Sequence, residues 1–350
     1  TEYERALAVM DALKSALADW SPRDFVDIQS LYWVVENKTT DGEEAASGPP
    51  ISIDDDPEFT IEEAMDGLFM PRERFEEILN LLRWKKNVIL QGPPGTGKTF
   101  VARRIANALM GVNAPDRVAF IQFHQSFSYE DFIQGYRPAD DGKFRLKDGV
   151  FYEFCQRAKK EPKHRFVFII DEINRGNLSK IFGELMMLIE PDKRGPRWAM
   201  PLTYSSDPSD RFYVPDNCYL LGMMNTADRS LAMVDYALRR RFAFVDLNPA
   251  FESAQFKGYL VENGVAVKLV DQINSRMVTL NRKISEDTTN LGPGYQIGHS
   301  FFCSRGGDLA LDAEWYRRVI MTEIAPLVRE YWFDNPNLSE THVDELLAGI

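Results

Sequence analysis

The stretch Asn87–Arg104, NVILQGPPGTGKTFVARR, joins a short apolar run to a helical pattern through a glycine-rich turn. Its centre matches G-x-x-x-x-G-K-[ST] in full, through Gly92, Pro93, Pro94, Gly95, Thr96, Gly97, Lys98 and Thr99. In that setting, after a strand and before a helix, glycines let backbone N–H groups wrap a phosphate chain, and the helix N-terminus adds partial positive charge. Lys98 is then expected at the β- and γ-phosphates, with the Thr99 hydroxyl on Mg²⁺. A chance glycine-rich turn would not also have the right flanks.

Outward from this turn the pattern alternates. RVAFIQF, RFVFIID, YLLGMMN and FAFVDLNP join NVILQ as apolar strands, with helical patterns between them. Continuous apolar strands separated by helices imply a five-stranded parallel sheet covered on both faces, an α/β fold. Upstream, Phe75, Ile78, Leu79 and Leu82 fall on one helical face. RWAMPLTYSSDPSDRFYVP reads as an inserted β-hairpin, and the polar-aromatic stretch from His124 to Gly149 as a long loop. Within it Phe127–Pro138 either lines a pore or packs the domain. From Phe251 the strands cease and a mostly helical lid is expected.

The predicted organisation is a helical N-terminal piece over 1–36, an acidic linker over 37–60, an α/β nucleotide-binding domain over 61–250 and the helical lid over 251–350. The net charge is −12, and residues 1–66 hold 17 acidic and 4 basic side chains, so the rest is near neutral. No basic footprint for extensive duplex binding is visible there. Three scattered cysteines, Cys155, Cys218 and Cys303, show neither disulfide nor metal spacing, which fits a reducing cytoplasm. No apolar run approaches membrane-span length and the start lacks a basic signal-peptide region.

The strand FVFIID ends in Asp171-Glu172. Asp171 is expected to hold Mg²⁺ through its water shell, and Glu172 to act as base toward the attacking water. MMNTADRS poses a choice, because Asn225-Thr226-Ala227-Asp228 also looks like the N-[TK]-x-D of guanine-binding proteins. Asp192-Lys193-Arg194-Gly195 likewise matches D-x-x-G. Asp171 already fills the post of that aspartate, however, and Asp192 follows a helix. If YLLGMMN lies between the P-loop strand and the Asp-Glu strand, Asn225 points at the γ-phosphate and positions water. That reading is favoured, with base recognition by Asn225, Thr226 and Asp228 as the minority reading. Finally, DYALRRRF places three arginines at a helix end. Helix C-termini favour cations, yet three in succession suggests more. Arg240 and Arg241 are the candidates for a finger acting in trans on a neighbour's nucleotide, with Arg239 structural.

P-loop, Asp-Glu strand, asparagine, helix-terminal arginines and helical lid, in this order, resemble an AAA+ P-loop NTPase. QGPPGTGKTFVARR, FHQSFSYEDFIQGYRP, IIDEINRGNLSKIFGELMMLIE, MNTADRSLAMVDYALRRRF and IGHSFF together resemble the McrB family, the GTP-hydrolysing motor subunits of modification-dependent restriction systems. The likeness runs from about Gly67 to near the C-terminus. It implies GTP as substrate, a hexameric ring with sites between subunits, an McrC-like nuclease partner, and cleavage of DNA carrying methylated cytosine. It matches Asn225 to the family's catalytic asparagine and places Asp228 in the same signature. His299 falls in the lid phrase where other AAA+ proteins present a sensor arginine, and is either a phosphate contact or a packed histidine. Residues 1–66 are too short and acidic for the complete DNA-reading domain with which such proteins begin, so a fragment or a different front end is expected. The base is expected near Gly67-Leu68-Phe69-Met70. DEINR is shared with MoxR-type ATPases, which keeps a protein-remodelling ATPase as the second reading. A non-hydrolysing assembly module is the third, and intact Lys98, Asp171, Glu172 and Asn225 argue against it.

Overall fold

Among the described residues, five strands and their covering helices are built from the alternating pattern. The computed structural model describes residues 57–139, 141–205, 207, 209–228, 236–303 and 310–349. The expected helical piece over 1–36 and most of the expected linker lie outside the described residues. The last linker residues are docked rather than extended. Phe59 N–H donates to Gly111 O at 2.9 Å, and Glu58 bridges Val112.

The main sheet contains β1 (Asn87–Gly92), β2 (Val118–Gln122), β5 (Phe166–Asp171), β6 (Cys218–Asn225) and β7 (Ala243–Asp246), in the order β2-β5-β6-β1-β7. Its neighbouring strands all pair in parallel. Side chains alternate between the two faces, as strand geometry requires. Val88, Leu90, Val167, Ile169, Leu221 and Met223 join one core with helices Arg72–Lys85 and Lys98–Met110. Ile89, Phe168, Ile170 and Leu220 join the other with helix Val150–Lys160. The central strands are therefore apolar along most of their length, which is why their sequences show no alternation. Phe75, Ile78, Leu79 and Leu82 are buried as their spacing predicts.

The hairpin is displaced from its expected place. The regular two-stranded ladder is β3 (Gln134–Pro138) with β4 (Phe144–Asp148), inside the stretch read as a loop. The segment read as a hairpin holds one antiparallel bridge, Met200 to Phe212. Proline explains the difference, since Pro201 and Pro215 have no N–H for a ladder. Phe127 and Phe132 pack the core, ring against ring with Phe123, while Tyr136 on β3 is exposed.

Beyond Phe251 the described residues form no strand and are mostly helical. Helix Val267–Glu286 supplies Val270, Ile273, Met277, Leu280 and Ile284 to a separate core with Phe302, Tyr316 and Val328. Among the described residues no helix is long and apolar enough to cross a membrane.

Candidate functional site

The phosphate loop follows from its glycines. Gly95 and Gly97 adopt φ of +78° and +76°, a region side chains disfavour, and this turns the loop into helix Lys98–Met110. Thr96 Oγ1 closes the turn by donating to Pro93 O at 3.0 Å. Lys98 Nζ lies over the loop, donating to Gly92 O at 3.1 Å and Pro93 O at 2.9 Å. Burial lowers its ammonium to about 8, opposed by the charges of Glu172, Asp171 and Asp228.

That shift carries a prediction with a definite sign. Phosphate needs the charged lysine, so above pH 8 binding must first take up a proton. Nucleotide affinity is expected to be flat near pH 7 and to fall above pH 8 by at most about tenfold per pH unit. Calorimetry in buffers of different ionisation heat should show proton uptake in the alkaline range. A flat profile to pH 9 with no uptake contradicts it.

Strand order brings the candidate hydrolytic residues together. β6 lies between β1 and β5, with Asn225 level with Gly92 and Thr226 N–H donating to Gly92 O at 3.1 Å. Asp171 ends β5, and Glu172 follows in left-handed backbone at φ 48°, ψ 44°. A non-glycine residue there costs on the order of 1–3 kcal/mol and is common at functional sites. The turn aims the carboxylate at Asn225, whose Nδ2 donates to Glu172 Oε1 at 2.7 Å. Arg175 grips the other oxygen, with Nε 3.2 Å from Glu172 Oε2, and its Nη2 donates to Asp228 Oδ2 at 3.0 Å. Asp228 thus acts on the carboxylate through Arg175. Thr226 Oγ1 donates to Gly294 O in the lid at 2.9 Å. Arg175 was missed in the sequence, although its place three residues after Glu172 in DEINR was a usable signal.

Thr99 and Asp171 offer a hydroxyl and a carboxylate, the hard oxygen donors that suit Mg²⁺. Two protein donors suffice, because Mg²⁺ usually keeps waters and substrate phosphate oxygens. Among the described residues there is no cluster of three or more histidine, cysteine or acidic side chains that would hold a metal alone.

Asp192 and Gly195 are not in this site, which corrects their candidacy. The buried Arg194 between them donates to Asn87 Oδ1 at 2.7 Å and Cys218 O at 2.6 Å, the first residues of β1 and β6. Their turn therefore sits at the strand N-termini, opposite the P-loop. The helix-terminal arginines share that end. Asn87 Nδ2 donates to Arg241 O at 3.1 Å, five residues and about 17 Å of strand from Gly92. The Arg241 guanidinium is 2.8 Å from Glu190 Oε1, whereas Arg240 is exposed beside Trp84, Lys85 and Asp192. Arg239 lies 5.9 Å from the Phe244 ring.

A cavity of about 620 Å³ opens on the other side of the P-loop. Gly67, Leu68, Phe69 and Met70 line it with Thr96, Gly97 and His299. It offers an apolar compartment for a nucleoside next to the phosphate loop. Asp246 and Glu252 at its wall carry carboxylates that sequence reasoning did not single out.

Residues 87–242 match the family model of an AAA domain of the dynein-related subfamily, and residues 272–340 that of the McrB alpha-helical lid domain. The chain is 54% identical over 301 residues to the type IV methyl-directed restriction enzyme EcoKMcrB subunit of Escherichia coli K12, covering 86% of this chain and 65% of that one. It is 27% identical over 194 residues to the type II restriction enzyme BsuMI component YdiS of Bacillus subtilis 168, covering 45% of this chain and 56% of that one. It therefore spans less than two thirds of the length of either relative.

Proposed function

We propose, from the premise that this chain is McrB-type, with an AAA domain followed by an McrB lid, that it is the GTP-hydrolysing motor subunit of a modification-dependent DNA restriction complex. It assembles into a ring, taken as a hexamer, and activates an McrC-like nuclease subunit. DNA is reached through a further N-terminal domain or through the partner. The observation that carries the reading is the 2.7 Å contact between Asn225 Nδ2 and Glu172 Oε1 at adjacent strand ends beside the P-loop.

The chemistry follows from the placement of the side chains. The P-loop amides cradle the phosphates, and Lys98 exchanges the Gly92 and Pro93 carbonyls for β- and γ-phosphate oxygens. Thr99 and Asp171 would hold Mg²⁺, which when bound would neutralise charge on the phosphates. Glu172, oriented by Asn225 and Arg175, accepts the proton of the attacking water. Asn225 retains its Oδ1 to orient that water in line with the γ-phosphate. Arg240 lies too far from the P-loop of its own chain, so it acts on a neighbour's nucleotide.

The test is side-by-side turnover of GTP and ATP with Mg²⁺, repeated with Asn225→Ala. GTP turnover alone is expected, falling about a hundredfold in the variant, as when one transition-state donor is lost. Turnover of ATP, or equal use of both, would instead make this a MoxR-like remodelling ATPase.

A further inference from the structure

We propose that His299 is a nucleotide-binding residue, donating a hydrogen bond from Nε2 to the sugar or α-phosphate of the nucleotide rather than sensing the γ-phosphate. The inference rests on the reading of the P-loop as a nucleoside triphosphate site.

The lid is seated on the P-loop by backbone contacts on either side of this residue. Gly298 N–H donates to Pro94 O at 2.9 Å and Ser300 N–H to Gly95 O at 2.8 Å. The approach is so close that a Cβ on Gly298 would stand 1.9 Å from the Gly95 carbonyl carbon. His299 is therefore held in a fixed position against the loop, and its ring packs on Phe69, with centroids 5.1 Å apart, and on Phe256, at 5.7 Å.

Its tautomer is fixed as well. Nδ1 stands 3.0 Å from the Ala250 amide nitrogen. A backbone amide can only donate, so Nδ1 is the acceptor and the proton of the neutral ring resides on Nε2. Burial among aromatic rings pushes the imidazole down to about 4, so it is neutral at physiological pH. The residue is 7% exposed, and no described residue accepts from Nε2. That nitrogen faces the loop, 3.9 Å from the point a Cβ of Gly97 would occupy. His299 lines the cavity, so a donor unused within the chain is available to an acceptor bound there.

The cavity identifies the acceptor. His299 lines it together with Thr96, Gly97 and Phe100, whereas Lys98, Asp171, Glu172 and Asn225 do not. The donor thus faces the nucleoside side of the P-loop, away from the groups that act on the γ-phosphate. A neutral donor at that place recognises a nucleoside phosphate whatever the length of its phosphate chain.

Two variants of the whole chain separate this role from packing. His299→Asn keeps an oxygen where Nδ1 accepts from Ala250 but lacks the Nε2 donor. His299→Gln reaches the Nε2 position with an N–H but gives up the Ala250 contact. Calorimetric affinities for GDP and a non-hydrolysable GTP analogue are the readout. Asn is expected to weaken both ligands equally, by about tenfold, the loss of one hydrogen bond, and Gln to bind within about threefold of wild type. Loss confined to the triphosphate analogue would overturn the proposal in favour of γ-phosphate contact. Loss in the Gln variant alone would reduce His299 to an acceptor for Ala250, and wild-type affinity in both would reduce it to packing. If the unmodified chain binds adenine but not guanine nucleotides, the proposed base preference fails, and the same series with ADP still decides His299. Binding of neither overturns both readings.

Discussion

Replacing Glu172 with Gln is expected to lower nucleotide turnover by about a thousandfold while leaving the nucleotide bound. The amide is nearly isosteric, so the contact from Asn225 at 2.7 Å can persist through the Gln oxygen. Its counterpart cannot accept a proton from water. The ion pair with Arg175, at 3.2 Å, is also lost, which frees Arg175 toward Asp228 without moving the P-loop. The measurement is single-turnover hydrolysis beside equilibrium binding. Triphosphate retained intact at wild-type affinity, with hydrolysis abolished, is the expected pair of results. Hydrolysis within a few fold of wild type would remove Glu172 from the chemistry, and loss of binding would make it a structural residue of the β5 terminus.

The second large effect is expected between subunits. Arg240→Ala should lower turnover by about a thousandfold without weakening binding, as loss of an arginine finger does. Mixing Arg240→Ala with Glu172→Gln subunits tests the direction. Each variant alone is inactive, but where the arginine of a Glu172→Gln subunit meets the intact site of an Arg240→Ala subunit, one competent site forms. Random mixing of equal amounts should restore about a quarter of wild-type turnover in a ring of identical head-to-tail interfaces. No recovery at any ratio would place Arg240 outside the chemistry. Arg241 offers a contrast, since its guanidinium is already committed to Glu190 of its own chain.

Much of this site was legible because its parts are locally encoded. Strands buried on both faces must be apolar at consecutive positions, so NVILQ and FVFIID announce themselves. A loop with φ near +77° at two places needs glycine there, so GPPGTGKT is readable as backbone geometry. Asp171 and Glu172 follow from ending a buried strand in carboxylates. Other features were not local. The expected hairpin was misplaced, because the prolines within RWAMPLTYSSDPSDRFYVP have no N–H to give a ladder. The pairing of Arg175 with Asp228 is not legible in the sequence, because Asp228 lies 53 residues away and only folding brings it alongside.

The sequence by itself thus determined a parallel α/β sheet, the phosphate loop and the carboxylates that serve it, because each is a short-range consequence of residue type. Only the tertiary structure decided where Asn225 sits, because the insertion of β6 between β1 and β5 is a relation among strands far apart in the chain. The same sheet sent Asp192 and Gly195 to the strand N-termini and set Arg240 and Arg241 about 17 Å of strand from their own P-loop. Which end of a parallel strand a residue occupies sets whether it lies beside the P-loop or away from it, and packing of the whole sheet fixes it.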